Sequence, residues 1–120
     1  MSKKTLVLGA SVNPQRYGNK AVFALKEKGH DVIPVGLRGG SIHGIDILKG
    51  KPDVQNVDTI TLYIGPKNQP EFYDYILGIN PKRIIFNPGT KNEELLDLAE
   101  KNNIETIEAC TLVMLSIGNY

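Results

Sequence analysis

The sequence has one cysteine, two histidines, almost no net charge and no long apolar run. A single thiol, Cys110, excludes an intrachain disulfide and suits a reducing, cytoplasmic compartment. His30 and His43, set apart from Cys110, give no recognizable metal-ligand spacing. A formal net charge of +1 argues against a bulk electrostatic partner such as duplex DNA or an anionic membrane. Any cation that matters must be placed locally. No apolar run is long enough for a signal peptide or a membrane span. Repeats, low-complexity tracts and an interdomain linker are missing too.

What is present is the balance of one soluble globular domain over residues 1–120, with 41% hydrophobic and 22% charged residues. Apolar runs predict strands at Thr5–Leu8, Asp31–Val35, Asp58–Ile64, Arg83–Phe86 and Glu105–Ile107. Helical patterns lie between them at Asn19–Lys28, Pro70–Leu77 and Asn92–Lys101, and Thr111–Ile117 closes with a helical turn. Strands alternating with helices imply a parallel sheet covered on both faces. The expected fold is therefore α/β: a Rossmann-like, doubly wound, five-stranded parallel sheet in the order 3-2-1-4-5. The stretch from Leu37 to Val57 has glycines, a proline and little periodicity, and reads as mostly loop.

In such a sheet a ligand lies beyond the carboxyl end of the first strand. There the chain reads Gly9-Ala10-Ser11-Val12 and continues through Arg16 to Gly18. Gly9 allows a tight turn, and small residues let a ligand approach main-chain N–H groups. The helix that follows offers free N–H groups and its positive dipole end to an anion. Arg16 adds a forked donor suited to phosphate. The spacing fits neither a P-loop nor a full dinucleotide fingerprint. A glycine after a first strand also occurs in folds that bind nothing there. The end of strand two narrows the choice. An NAD site usually has an acid there, but Val35-Gly36-Leu37-Arg38 has an arginine. A guanidinium attracts a phosphate on the ribose, as NADP carries at its 2′ position and coenzyme A (CoA) at its 3′ position. An exposed loop charge is an equally common role for such an arginine as Arg38.

With both stretches in view, the chain resembles the CoA-binding domain family in its small single-domain form. The same domain occurs in the alpha subunit of succinyl-CoA synthetase. The resemblance rests on VLGASVNPQRYG at 7–18, GHDVIPVGLRGGSIHG at 29–44, VDTITLYIGP at 57–66, IIFNPGTKNEEL at 84–95 and NNIETIEAC at 102–110. It implies that Gly9, Ala10, Ser11, Val12 and Arg16 meet the phosphates of CoA. It assigns Pro34, Val35, Gly36, Leu37 and Arg38 to the adenosine end. Ile64, Gly65 and Pro66, with Asn87, Pro88, Gly89 and Thr90, would border the pantetheine arm. Relatives often show Asn-Pro where this chain has Gly36-Leu37, and a Gln or comparable polar residue near Asn87.

Cys110 matches a cysteine position common in the family. His30 leads into strand two at its amino end, away from the expected site, and His43 lies in a loop whose place the sequence leaves open, so Cys110 reads as a buried structural thiol. The synthetase relatives also use a phosphoryl-transfer histidine and a nucleotide-grasping domain that 120 residues do not accommodate. The expected function is thus a CoA or acyl-CoA binding module without catalytic machinery: a sensor, a carrier or a partner subunit. An NAD(P)-binding protein or reductase with NADP is the second reading, with Tyr17 and Tyr63 as default proton donors. A scaffold that has lost its ligand is the third. Nucleic acid and membrane are not expected as partners. A homo-oligomer or an unidentified partner protein is left open.

Overall fold

A computed structural model describes residues 2–120. Seven strands form one sheet: β1 (Thr5–Leu8), β2 (Val32–Gly36), β3 (Gly40–Ile42), β4 (Ile45–Lys49), β5 (Thr59–Leu62), β6 (Arg83–Phe86) and β7 (Glu105–Glu108). Their spatial order is β3-β4-β2-β1-β5-β6-β7. Every pairing is parallel except that of β3 with β4. The helices are α1 (Tyr17–Glu27), α2 (Tyr73–Ile79), α3 (Glu93–Lys101) and α4 (Thr111–Ser116).

The α/β Rossmann-like class agrees with expectation, but the five strands and their order need correction. The strand expected at Asp58–Ile64, here β5, pairs with β1 and not with strand two. The place beyond β2 goes to β4, which arises inside the stretch expected to be loop. The reason is the hairpin. Ser41 and Ile42 face Asp46 and Ile45 across a turn where His43 (φ 47°) and Gly44 (φ 84°) are both left-handed, the requirement of a tight type I′ turn. Strands this short leave almost no periodicity to read. Ile42 and Ile47 are nonetheless buried. Because β3 runs antiparallel, no crossover helix is needed between β2 and β4. The chain then returns across the sheet as an extended segment, with Val54 and Val57 packed into the core.

Alternation along the central strand sorts the core into two layers. Leu6 and Leu8 point with Ile60, Leu62, Ile84 and Phe86 toward Ile76 of α2 and Leu95 and Ala99 of α3. Val7 points the other way, toward Val22 and Leu25 of α1 and Leu115 of α4. Leu6 and Val7 are wholly buried, so β1 is covered on both faces. α1 starts two residues earlier than periodicity suggested, because Tyr17 is exposed and Gly18 has no side chain to reveal the pattern. Among the described residues, no helix is long and apolar enough to cross a membrane.

Candidate functional site: a cleft at the carboxyl edge of the sheet

In the register of the parallel strands, Leu8 pairs with Val35 on one side and Leu62 on the other, and Leu62 pairs with Phe86. The loops after β1, β2, β5 and β6 therefore emerge together. They enclose a cleft of about 820 Å³.

The β1 loop forms its floor. Gly9 has φ 109°, and a Cβ there would lie 2.7 Å from the Tyr63 carbonyl oxygen. Gly9 thus permits close approach of β5 and does not itself clear a path for a ligand. The Gly9 and Ala10 N–H groups both donate to the Val35 carbonyl at 2.9 Å. This corrects the expectation that the amides around Gly9 are free for an anion. Beyond them the loop folds through small turns. The Ser11 hydroxyl accepts from the Asn13 N–H at 3.1 Å, and the Asn13 side chain accepts from the Gln15 N–H at 3.0 Å. The buried Asn19 side chain donates to the Ser11 carbonyl at 2.9 Å. Gly18 lies against Gly9: a Cβ at 18 would meet the Gly9 carbonyl oxygen at 2.4 Å. The start of α1 is thereby held beside the loop, with its first N–H groups lacking helical acceptors.

The β2 tip forms one rim. Leu37 and Arg38 line the cleft and are exposed. Pro34 and Val35 are buried within β2 and do not line it. Gly36 does not line it either, but a Cβ there would meet the Ala10 carbonyl oxygen at 2.3 Å. Val35 and Gly36 seat the β1 loop.

The far wall comes from β5 and β6. Tyr63, Ile64, Gly65 and Asn68 line it from one side, and Pro88, Gly89 and Thr90 from the other. Pro66 only begins a 3-10 turn, Pro66–Asn68. Asn87 is buried and fully engaged. Its amide donates to the Thr61 hydroxyl at 2.6 Å and the Leu62 carbonyl at 2.8 Å, and its oxygen accepts from the Thr111 N–H at 2.9 Å. It ties β5 to the start of α4. The turn after it closes with the Thr90 N–H on the Asn87 carbonyl at 3.0 Å, with Pro88 and a left-handed Gly89 at the corner, as in a type II turn. Burial pushes the Tyr63 phenol up to about 12, so it is protonated at neutral pH. Its hydroxyl is buried and unpartnered, while the neighbouring Thr61 and Thr111 hydroxyls bond each other at 2.7 Å.

Of the expected site residues, Gly9, Ala10, Ser11, Val12, Arg16, Leu37, Arg38, Ile64, Gly65, Pro88, Gly89 and Thr90 meet at the cleft. Asn13, Gln15, Gly18 and Asn68 also line it and were not singled out as ligand-binding. Asn13 and Gln15 sit inside the quoted loop motif, so their place was the available signal. Asn68 carried none. Neither histidine reaches the cleft. His30 accepts from the Lys3 N–H at 3.0 Å, and His43 packs on Phe23 with ring centroids 4.4 Å apart.

The sequence profile of the CoA binding domain matches residues 3–116. The chain belongs to the CoA binding domain family. A crystal structure of an uncharacterized protein shares 50% identity over 100% of this chain and 99% of its own, with a TM-score of 0.97. A conserved hypothetical protein from Pyrococcus furiosus shares 29% identity, covering 92% of this chain and 97% of its own, with a TM-score of 0.81. A hypothetical protein from Pyrococcus horikoshii OT3 has the same fold at 23% identity, with a TM-score of 0.87, covering 97% and 83%. No curated protein matches the chain. As in other Rossmann-like sheets, this CoA binding domain has its cleft at the carboxyl edge, beside β1.

Proposed function

We propose that this CoA binding domain holds CoA or an acyl-CoA in the cleft and serves as a binding module, a carrier or sensor, without chemistry of its own. One observation carries the reading: two guanidiniums, Arg16 and Arg38, border the cleft, and among the described residues no carboxylate does. Arg16 lies next to the start of α1, where a pyrophosphate would gain both the fork and the helix dipole. Arg38 occupies the β2 tip, where an NAD site would have an acid, and suits the 3′-phosphate on the CoA ribose. The opposite wall, with Ile64, Gly65, Pro88 and Gly89, is small and largely apolar, which suits a pantetheine arm.

The binding-module reading also rests on the side chains around the cleft. No histidine lines it, and the Ser11 hydroxyl already accepts from the Asn13 N–H. A nucleophile needs an adjacent base. Calorimetry with CoA, dephospho-CoA, NADP and NAD tests the reading. CoA should bind most tightly and dephospho-CoA more weakly. Tighter binding of NADP would move the site to a dinucleotide. Binding of none of the four would leave a scaffold.

A further inference from the structure

The fully buried Gln69 joins the two loops that form the far wall of the cleft. A glutamine side chain without exposure is costly unless each polar atom is paired, and here each is. The Gln69 amide nitrogen donates to the Ile64 carbonyl at 3.0 Å and to the Thr90 carbonyl at 2.8 Å. Its oxygen accepts from the Asn92 amide at 2.9 Å. Both acceptors on the nitrogen are carbonyls, so the orientation of the amide is fixed by chemistry. Asn92 is fixed in turn. Its amide also donates to the Tyr73 hydroxyl at 2.8 Å, and its oxygen caps α3 by accepting from the Glu94 N–H at 3.1 Å. Ile64 follows β5 and Thr90 follows β6, and both line the cleft. Without the donor between them, the buried Thr90 carbonyl and the half-buried Ile64 carbonyl would be left near each other with no partner. The loops would separate or admit water.

We infer that Gln69 is a positioning residue that sets the spacing of the 64–68 and 88–90 loops and thereby the fit of the pantetheine arm. It touches no ligand and acts through two backbone carbonyls. This role rests on the reading of the cleft as a CoA site. It predicts a selective effect, because the phosphate and adenosine ends are held by other loops, after β1 and β2.

The test compares CoA with 3′-phosphoadenosine 5′-diphosphate, which keeps the 3′-phosphate and the pyrophosphate and lacks pantetheine. Gln69→Leu removes the two donated bonds at nearly constant volume. In this variant CoA should bind about tenfold more weakly, with the shorter nucleotide changed by less than about twofold. Asn92→Asp keeps the α3 cap but removes the donor to Gln69. The new carboxylate faces the Gln69 oxygen and pushes it out of place, so the variant should show the same selectivity, and it serves if Gln69→Leu does not fold. Unchanged CoA binding in a folded variant, or equal loss for both ligands, would overturn the role. A wild type that binds neither ligand overturns the reading of the cleft, and the role with it. That outcome differs from failure of the role alone, in which the wild type still prefers CoA.

Discussion

The Asn19 side chain, on the first turn of α1, donates to the Ser11 carbonyl at 2.9 Å from a buried position. One hydrogen bond thus fastens the loop of the candidate site to the helix that follows it. Asn19→Ala should leave that carbonyl short of a partner and lower stability by about 1–2 kcal/mol. Asn19→Asp should cost more, since a carboxylate facing a carbonyl oxygen replaces a donor with an acceptor. Both variants should weaken CoA by releasing the loop. Urea midpoints with parallel calorimetry would check this. A variant of wild-type stability that binds normally would show that the loop holds itself.

Gly9 and Gly18 are placed against backbone, not against open cleft. At position 9 a Cβ would meet the Tyr63 carbonyl, and at position 18 the Gly9 carbonyl. Gly9→Ala combines that clash with a φ of 109° that side chains rarely adopt, so a loss of about 1–3 kcal/mol or more is expected. Gly18→Ala should push α1 off the loop and cost a similar amount. Gly65, by contrast, lines the cleft with nothing near its Cβ position. Gly65→Ala should therefore leave the melting temperature close to wild type while changing ligand affinity. If Gly9→Ala kept full stability and lost only binding, the glycine would be clearing a ligand path after all.

Arg16 and Arg38 should separate by ligand. Arg16→Ala should leave the fold intact, because its side chain is exposed. It should weaken CoA by about 1.5–3 kcal/mol, the range for a charged hydrogen bond. Arg16→Lys should recover only part of this, since an ammonium lacks the fork. Added salt should weaken wild-type binding more than that of the alanine variant. Arg38→Ala should instead erase the preference for CoA over dephospho-CoA. Calorimetry at two salt concentrations reads both effects. Loss of the preference in Arg16→Ala but not in Arg38→Ala would reverse the two assignments.

Much of this was legible in the sequence for a physical reason. Buried parallel strands such as Leu6-Val7-Leu8 and Ile84-Ile85-Phe86 are continuous apolar runs. The order of the runs then places their loops at one edge. The β3–β4 hairpin was not legible, because three paired residues on each side give no period and the turn signal is a single His-Gly pair. The structural part of Asn87 was hidden for a different reason. A polar residue at a strand tip looks like a ligand contact, yet its three bonds all go inward. Gln69 and Asn19 were invisible as clamps, because a buried amide has the same sequence signature as an exposed one. Val35 and Gly36, which the family resemblance assigns to the adenosine end, also support the β1 loop, a part the sequence does not reveal.

The end of the sheet opposite the cleft supplies a pH dependence. His30 accepts the Lys3 N–H at its Nδ1, which requires that nitrogen to be unprotonated. Burial lowers the pKa of His30 below its ordinary 6.5, and the cations of Lys3 and Arg83 lower it further, with Asp58 opposing. The ring also packs on Tyr120, with centroids 4.9 Å apart. The folded state therefore takes up the proton less readily than the unfolded chain. As pH falls from the unfolded value, the unfolded state gains protons first, and stability drops until the folded value is passed. Above the unfolded value the contribution is complete. His30→Asn keeps an acceptor near Nδ1 and removes the titration. Urea midpoints followed from about pH 8 to about pH 5 should fall more steeply for the wild type than for His30→Asn. Parallel curves for the two proteins would show that protonation of His30 is not linked to folding, and would sink the argument.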